Sequence, residues 1–250
     1  VPYYARFRLH YPPELIARVI TMAGLAPGDG VMDLGCGPGL LAVPFAEAGM
    51  RVTGIDPEPD MLEVARETAR EVGVKVDFRR GSSFDLPTDL GPIHLVAMGR
   101  SFHWMDRVET LRTLDTLLPP SGAIALFEDE HPRTAENAWL WKMAEVGRNY
   151  GMHEAAHRAA AARSDYRTHV SYLFDSVFTH IERAGVYMRR PITVDEIVGR
   201  AFSLSMLSKE KLGDRADDFE RELRMALTVL SPEGRFTEIA ELAAIVAKRG

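Results

Sequence analysis

The sequence predicts a doubly wound α/β fold built on a mostly parallel sheet. Three observations carry that expectation. Short apolar segments alternate with amphipathic helical ones as far as residue 130. A glycine-rich turn joins the first of these strands to a helix, and after residue 130 the alternation gives way to a helical insertion.

The elements follow in order. Pro12 and Pro13 precede Leu15, Ile16, Val19 and Met22, a helical stripe with proline in its first turn and Gly24 as its stop. Strands are expected at 30–34 (GVMDL), 51–55 (RVTGI), 74–79 (VKVDFR), 93–98 (IHLVAM) and 122–127 (GAIALF). Between the second and third, Leu62, Ala65, Ala69 and Val72 recur at helical spacing. Arg107–Leu118 reads as a further helix, with Asp106 placed to cap it.

Residues 134–163, including the alanine-rich 155–163, read as helix with Trp139, Met143 and Val146 on one face. A strand over 177–192 and helices over 194–206 and 216–230 follow. The last segment, Phe236–Arg249, fits both periods. Ile239, Leu242, Ala243 and Val246 suit a helix, but Gly234 before it favours a strand, as does the resemblance described below. Taken as a strand it makes seven. The expected division is a core of 1–130 and 177–250, with 131–176 as a helical cap inserted after the fifth strand.

Composition narrows the functional classes. The 250 residues are 46% hydrophobic and 26% charged, enough for a sizeable core. Cys36 is the one cysteine, so no intrachain disulfide forms and a reducing, cytoplasmic setting is expected. No apolar run is long enough to span a bilayer. A net charge of −6 without basic blocks disfavours nucleic acid as a partner. A small-molecule acceptor is expected instead, and a homo-oligomer is compatible with the sequence.

The strongest signal is VMDLGCGPG over 31–39. Gly35, Gly37 and Gly39 let the backbone turn tightly and approach a ligand, and the next helix offers free N–H groups. Asp33 stands just before the loop. Asp56 ends the second strand about 20 residues on, where a carboxylate can accept both hydroxyls of a ribose.

VMDLGCGPG resembles motif I of class I S-adenosylmethionine-dependent methyltransferases, and GIDPEPDMLEVAR resembles the motif that follows it. FRRGSSFDLP is similar to the segment that contacts adenine, and SFHWMD to the loop after the fourth strand. The opening YARFRLHYPPEL resembles the Y-x-x-x-R-x-x-Y-P start of small-molecule methyltransferases of the type 11-like, trans-aconitate kind. The likeness is specific over 1–130 and loose beyond. One departure stands at Ser82 and Ser83, where relatives carry an acidic residue or alanine.

The resemblance implies a Rossmann-like methyltransferase fold with S-adenosyl-L-methionine as cofactor and S-adenosyl-L-homocysteine as product. The cofactor residues it implies are Asp33, Gly35, Cys36, Gly37, Gly39, Asp56, Pro57, Met61, Ser82, Ser83, Phe84, Gly99, Ser101 and Arg8. Tyr4, Phe102, Trp104 and Trp141 are the expected acceptor contacts, and His103, Tyr3 and Tyr11 the candidate catalytic side chains. Two competing readings are a nicotinamide oxidoreductase, whose loop would place glycine or alanine where Leu40 stands, and a noncatalytic cofactor-binding protein.

Several residues stay open to two readings. Cys36 fits the loop as a small packed thiol. His103 has the intrinsic pKa of a general base, yet a loop-ordering histidine would look the same. Trp104 suits either the adenine or the core. Glu128, Asp129 and His131 suggest a metal by spacing alone, without a third carboxylate, so no metal is expected. Arg189 and Arg190 suit a carboxylate ligand or a solvated strand end. Tyr3, Tyr4, Arg8 and Tyr11 form an aromatic cluster with no helical or strand stripe, read as a lid over the cofactor or as packing on the cap helices.

Methyl transfer from a sulfonium needs mainly alignment of acceptor, methyl carbon and sulfur, and exclusion of water. No obligatory motif follows, so the sequence leaves the acceptor atom open. A helical cap with aromatic residues suits a small organic acceptor such as a specialised metabolite.

Overall fold

The computed structural model describes residues 2–152 and 167–250. The expected helix over 153–163 therefore lies outside the described residues. The chain divides into two compact units. One comprises the described parts of Val1–Leu9 and Glu130–Tyr166 together with Tyr187–Glu241. The other comprises His10–Asp129, Arg167–Val186 and Leu242–Gly250.

In the second unit, β1 (Gly30–Leu34), β2 (Arg51–Asp56), β3 (Val76–Arg80), β4 (Leu95–Gly99) and β5 (Ala123–Glu130) form where the apolar runs stand. β1 is buried along its whole length, as a parallel strand covered on both faces must be. β2 pairs parallel with β1 and β3, and β4 pairs parallel with β1 and β5. With β6 (His180–Thr193) and β7 (Arg235–Lys248), the seven-stranded sheet has the order β3-β2-β1-β4-β5-β7-β6.

The order reverses between β1 and β4. This is the topological switch point, beyond whose carboxyl ends open α/β sheets bind their ligands. Met32, Leu34, Ile55, Val96, Met98, Leu114, Ile124 and Leu126 form the core beneath it. Each such side chain, fully buried, contributes roughly 1.5–3 kcal/mol.

The helices of this unit follow their signals. α2 (Pro13–Ala23) ends at Gly24, which takes φ 71°. α3 (Ala42–Glu47) follows the glycine loop, and α4 (Pro59–Val72) buries Leu62, Ala65 and Ala69. The carboxylate of Asp106 accepts from the Glu109 amide at 3.1 Å and starts α5 (Arg107–Leu117). Phe102–Trp104 form a 3₁₀ turn before it.

In the first unit, the N-terminal segment forms α1 (Pro2–Phe7), contrary to the reading that its aromatics make no helical stripe. The physical reason is tertiary. The Tyr3 and Phe7 rings stack one turn apart at 5.9 Å, Tyr3 lies 5.4 Å from Phe202, and the Phe7 ring closes over Gly199, where a Cβ would collide with it. α6 (Ala138–Asn149) covers the described part of the expected cap helix and buries Trp139, Met143 and Val146. After α7 (His169–Phe174) of the second unit come α8 (Val194–Phe202), α9 (Lys209–Leu212) and α10 (Ala216–Leu230). Thr193 and Glu196 form a reciprocal capping box at the start of α8, which stops at Phe202 rather than 206.

The C-terminal segment is a strand although its alanines suit a helix. β7 lies inside the sheet between β5 and β6, and small side chains fit a strand covered on both faces. No helix among the described residues is long and apolar enough to cross a membrane.

Candidate active site

The glycine loop leaves β1 at the switch point. Gly35, Gly37 and Gly39 hold φ of 73°, 51° and 88°, the left-handed region where a Cβ is strained. Gly35 and Cys36 donate their amides to the Ile55 carbonyl, so the loop hangs from the end of β2. At Gly35 a Cβ would lie 2.5 Å from that of Ser101. At Gly37 it would meet nothing within 4 Å, which leaves that side of the loop open.

Asp56 closes the turn from below. One carboxylate oxygen accepts from the Gly37 amide at 2.8 Å and the other from the Glu58 amide at 2.9 Å. Each oxygen keeps a further lone pair.

Asp33 sits in mid-sheet between Gly54 of β2 and Ala97 of β4, only 1% exposed. Its Oδ2 accepts from the Ala42 amide at 2.9 Å, while Oδ1 has no hydrogen-bond partner among the described residues. Burial pushes its pKa up to about 7, the Ala42 bond opposes this, and the charge of Asp56 adds to it. Burial likewise pushes up the Cys36 thiol, helped by Asp33 and Asp56. Cys36 is buried and points under the loop toward Gly54, so its thiol is packed.

Two further loops follow β3 and β4. Gly81 donates to the Asp56 carbonyl at 3.2 Å, and Ser82 pairs with Asp85 across a tight turn. The Ser82 hydroxyl accepts from the Phe84 amide, and the Phe84 ring is 72% exposed. After β4, Ser101 donates its hydroxyl to the Leu34 carbonyl at 2.7 Å and fixes the glycine loop.

Residues 31–122 match the model of a family described as a methyltransferase domain. An uncharacterized methyltransferase of Mycobacterium tuberculosis is 28% identical over 57% of this chain and 55% of its own length. A ubiquinone biosynthesis O-methyltransferase of Methylocella silvestris is 36% identical over 46% of this chain and 49% of its own. The chain thus spans about half the length of these curated relatives. A SAM-dependent methyltransferase of Thiobacillus denitrificans, solved in complex with S-adenosyl-L-homocysteine, shares the fold with a TM-score of 0.57. It is 19% identical, over 99% of this chain and 96% of that one.

The remaining sequence-selected residues fall into distinct settings. Pro57 is exposed and Met61 half-buried at the start of α4. Gly99 is covered by Leu41 and Tyr11. Phe102, read from the sequence as an acceptor contact, is instead buried in the core with Met98 and Leu111, its ring 5.2 Å from His169. The 3₁₀ turn points it inward and leaves His103 and Trp104 outside. Trp104 is 75% exposed, its ring 4.8 Å from His103.

Tyr11 is buried, edge-on to Phe127 at 5.0 Å. The Arg100 guanidinium lies 4.9 Å over its ring and pairs with Asp129. Arg100 holds φ 57°, the one positive value among described residues other than glycine. No sequence signal marked this position.

Tyr3 and Arg8 belong to the first unit. There Tyr3 packs against Phe202, and Arg8 donates to the Ser203 carbonyl at 3.4 Å. The side chain of Tyr4 lies outside what the structure describes. Trp141 is half-exposed beneath the Arg133 guanidinium at 5.4 Å.

The trio suggested as a metal site by spacing is divided among other partners. Glu128 pairs with Arg183 and Asp129 with Arg100, while His131 bonds Glu238 at 2.7 Å. Arg190 is neither a solvated strand end nor a free carboxylate reader. It bridges Glu238 at 2.8 Å and Glu196 at 2.7 Å. Glu238, fully buried and also bonded by Arg200, was not singled out in the sequence.

Proposed function

We propose that the chain transfers the methyl group of S-adenosylmethionine to an oxygen or nitrogen of a small-molecule acceptor, releasing S-adenosylhomocysteine. The observation that carries this reading is the set at the switch point. It comprises the open side of Gly37, the Asp56 carboxylate bound to its amide, and the buried, unpartnered Asp33 Oδ1, all toward the carboxyl ends of β1 and β2. A buried polar atom without a partner and a backbone stripped of Cβ fit the cofactor implied by the domain family.

When bound, S-adenosylmethionine supplies an electrophilic methyl carbon on a sulfonium leaving group. Asp56 would accept the ribose hydroxyls on its remaining lone pairs. The glycine loop and Asp33 would border the methionine part, Ser82, Ser83 and Phe84 the adenine, and Pro57 and Met61 the wall between. Exposed Phe84 and Trp104 offer ring faces and exclude water. For a hydroxyl acceptor, His103 is the proposed general base, since its ring stands outside the core on the carboxyl side of β4.

Two of the similar proteins support the reading. One is named for O-methylation in ubiquinone biosynthesis, and the other was solved with S-adenosylhomocysteine. The test is transfer of a labelled methyl group to a panel of phenols, carboxylic acids and amines. Turnover with at least one acceptor, lost in Asp56→Ala, is expected. No transfer together with no S-adenosylhomocysteine binding would remove the proposal.

A further inference from the structure

A cluster of cationic side chains stands beside the β4 loop, all within the second unit. Arg107 is the first residue of α5, where the helix dipole is positive and a cation is the wrong sign for stability. Its guanidinium donates to the His103 carbonyl at 3.3 Å and lies 5.1 Å over the Tyr172 ring. Its Nε is buried without a hydrogen-bond partner among the described residues.

Arg167 approaches the same ring at 4.1 Å, so one tyrosine serves two guanidinium groups. His169, edge-on to Phe102, completes the cluster. Phe102 adjoins His103, whose carbonyl Arg107 binds, so the three side chains belong to one corner of the fold. Burial lowers the pKa of His169, and the charges of Arg107 and His103 lower it further.

The carboxylates nearby are occupied. Asp175 pairs with Arg167, Asp106 caps α5 through the Glu109 amide, and Glu109 pairs with Arg112 at 3.4 Å. Local rules are broken in this way where a ligand supplies the compensation.

We propose that Arg107, His169 and His103 form an anion subsite that takes a carboxylate or phosphate group of the methyl acceptor. Its role in catalysis rests on the methyl-transfer reading given above. Arg107 offers a planar fork for two oxygens of such a group, and a ring N–H of His169 would add a third donor. Exposed Trp104, next to His103, then borders the rest of the acceptor.

The test is calorimetric titration of the full chain with inorganic phosphate and, separately, with citrate. Each is run with and without S-adenosylhomocysteine. Saturable binding of either probe is expected, and the tighter probe identifies the group. Arg107→Gln and His169→Gln should each weaken it at least about tenfold, the loss expected for a charge-assisted bond. Arg112→Gln, an exposed cation on the same helix, should leave it unchanged.

The inference is overturned if neither probe binds below about 10 mM, or if Arg107→Gln binds as well as the parent chain. Equal weakening by Arg112→Gln also overturns it, since that marks unspecific charge. S-adenosylhomocysteine affinity, read in the same samples, reports separately on the cofactor site.

Discussion

The amide of Gly37 donates to a carboxylate oxygen of Asp56 across 2.8 Å, although 19 residues separate the two in sequence. The bond ties the turn after β1 to the end of β2, so a single carboxylate both shapes the glycine loop and stands beside its open side. On the proposed reading, loop conformation and cofactor contact are coupled, and substitutions can be chosen that separate them.

Gly37→Ala is the first such substitution. Its Cβ meets no atom within 4 Å, so the change is strained only through φ 51°. A stability loss of about 1–2 kcal/mol is expected for the left-handed conformation. S-adenosylhomocysteine binding should fall far more, because the methyl group fills the open side. Gly35→Ala, which also collides with Ser101, should lose more stability than Gly37→Ala. Denaturant unfolding beside calorimetry checks both, and unimpaired binding by a folded Gly37→Ala chain would contradict the expectation.

The buried Asp33 carboxyl predicts a pH dependence. Its pKa in the folded chain, about 7, lies above its ordinary 3.8. The folded state therefore binds the proton more tightly than the unfolded one. The stability from this group is fully present below about pH 4 and lost as pH rises through about 7. Asp33→Asn should remove that dependence, and at about pH 8 it should be more stable than the parent by up to about 4 kcal/mol. Urea unfolding at about pH 5 and about pH 8 is the check. Parallel pH profiles for the two chains would count against a buried, protonated Asp33.

Glu238 predicts the opposite slope. Burial alone would raise its pKa, but hydrogen bonds from His131 and Arg200 and the charges of Arg200 and Arg190 outweigh that and bring it from 4.5 to about 2. Its contribution is present above about pH 4.5 and disappears as pH falls toward about 2. Glu238→Gln leaves Arg200 buried without its counter-charge and should destabilise the chain by about 3–5 kcal/mol. Thermal and denaturant unfolding would show it, and a loss below about 1 kcal/mol would mean that water or another carboxylate takes over.

Much of this was legible in the sequence because the signals are local. β1 and α10 fall where the apolar period places them, Asp106 caps the helix it precedes, and the three loop glycines take positive φ. Asp33 and Asp56 stand close to those glycines because β1 and β2 are adjacent parallel strands, which their spacing in sequence reflects. What stayed hidden depends on contacts distant in sequence. α1 needs Gly199 and Phe202 to hold its aromatics, Glu238 meets His131 across 107 residues, and the inward turn of Phe102 depends on its packing in the core. The contact of Phe102 with His169 brings the β4 loop to a helix beyond the stretch where the family resemblance is specific.

The most direct test of the account is titration of S-adenosylhomocysteine into the full chain and into Asp56→Asn. The asparagine keeps the shape and one acceptor for the Gly37 amide but removes the charge that would hold the ribose. Saturable one-to-one binding to the parent chain is predicted, weakened in the variant by about 1.5–3 kcal/mol, with the melting temperature showing that the variant is folded. Absence of binding to the parent chain, or equal affinity in both, would contradict the assignment of the β1 and β2 strand ends as the cofactor site.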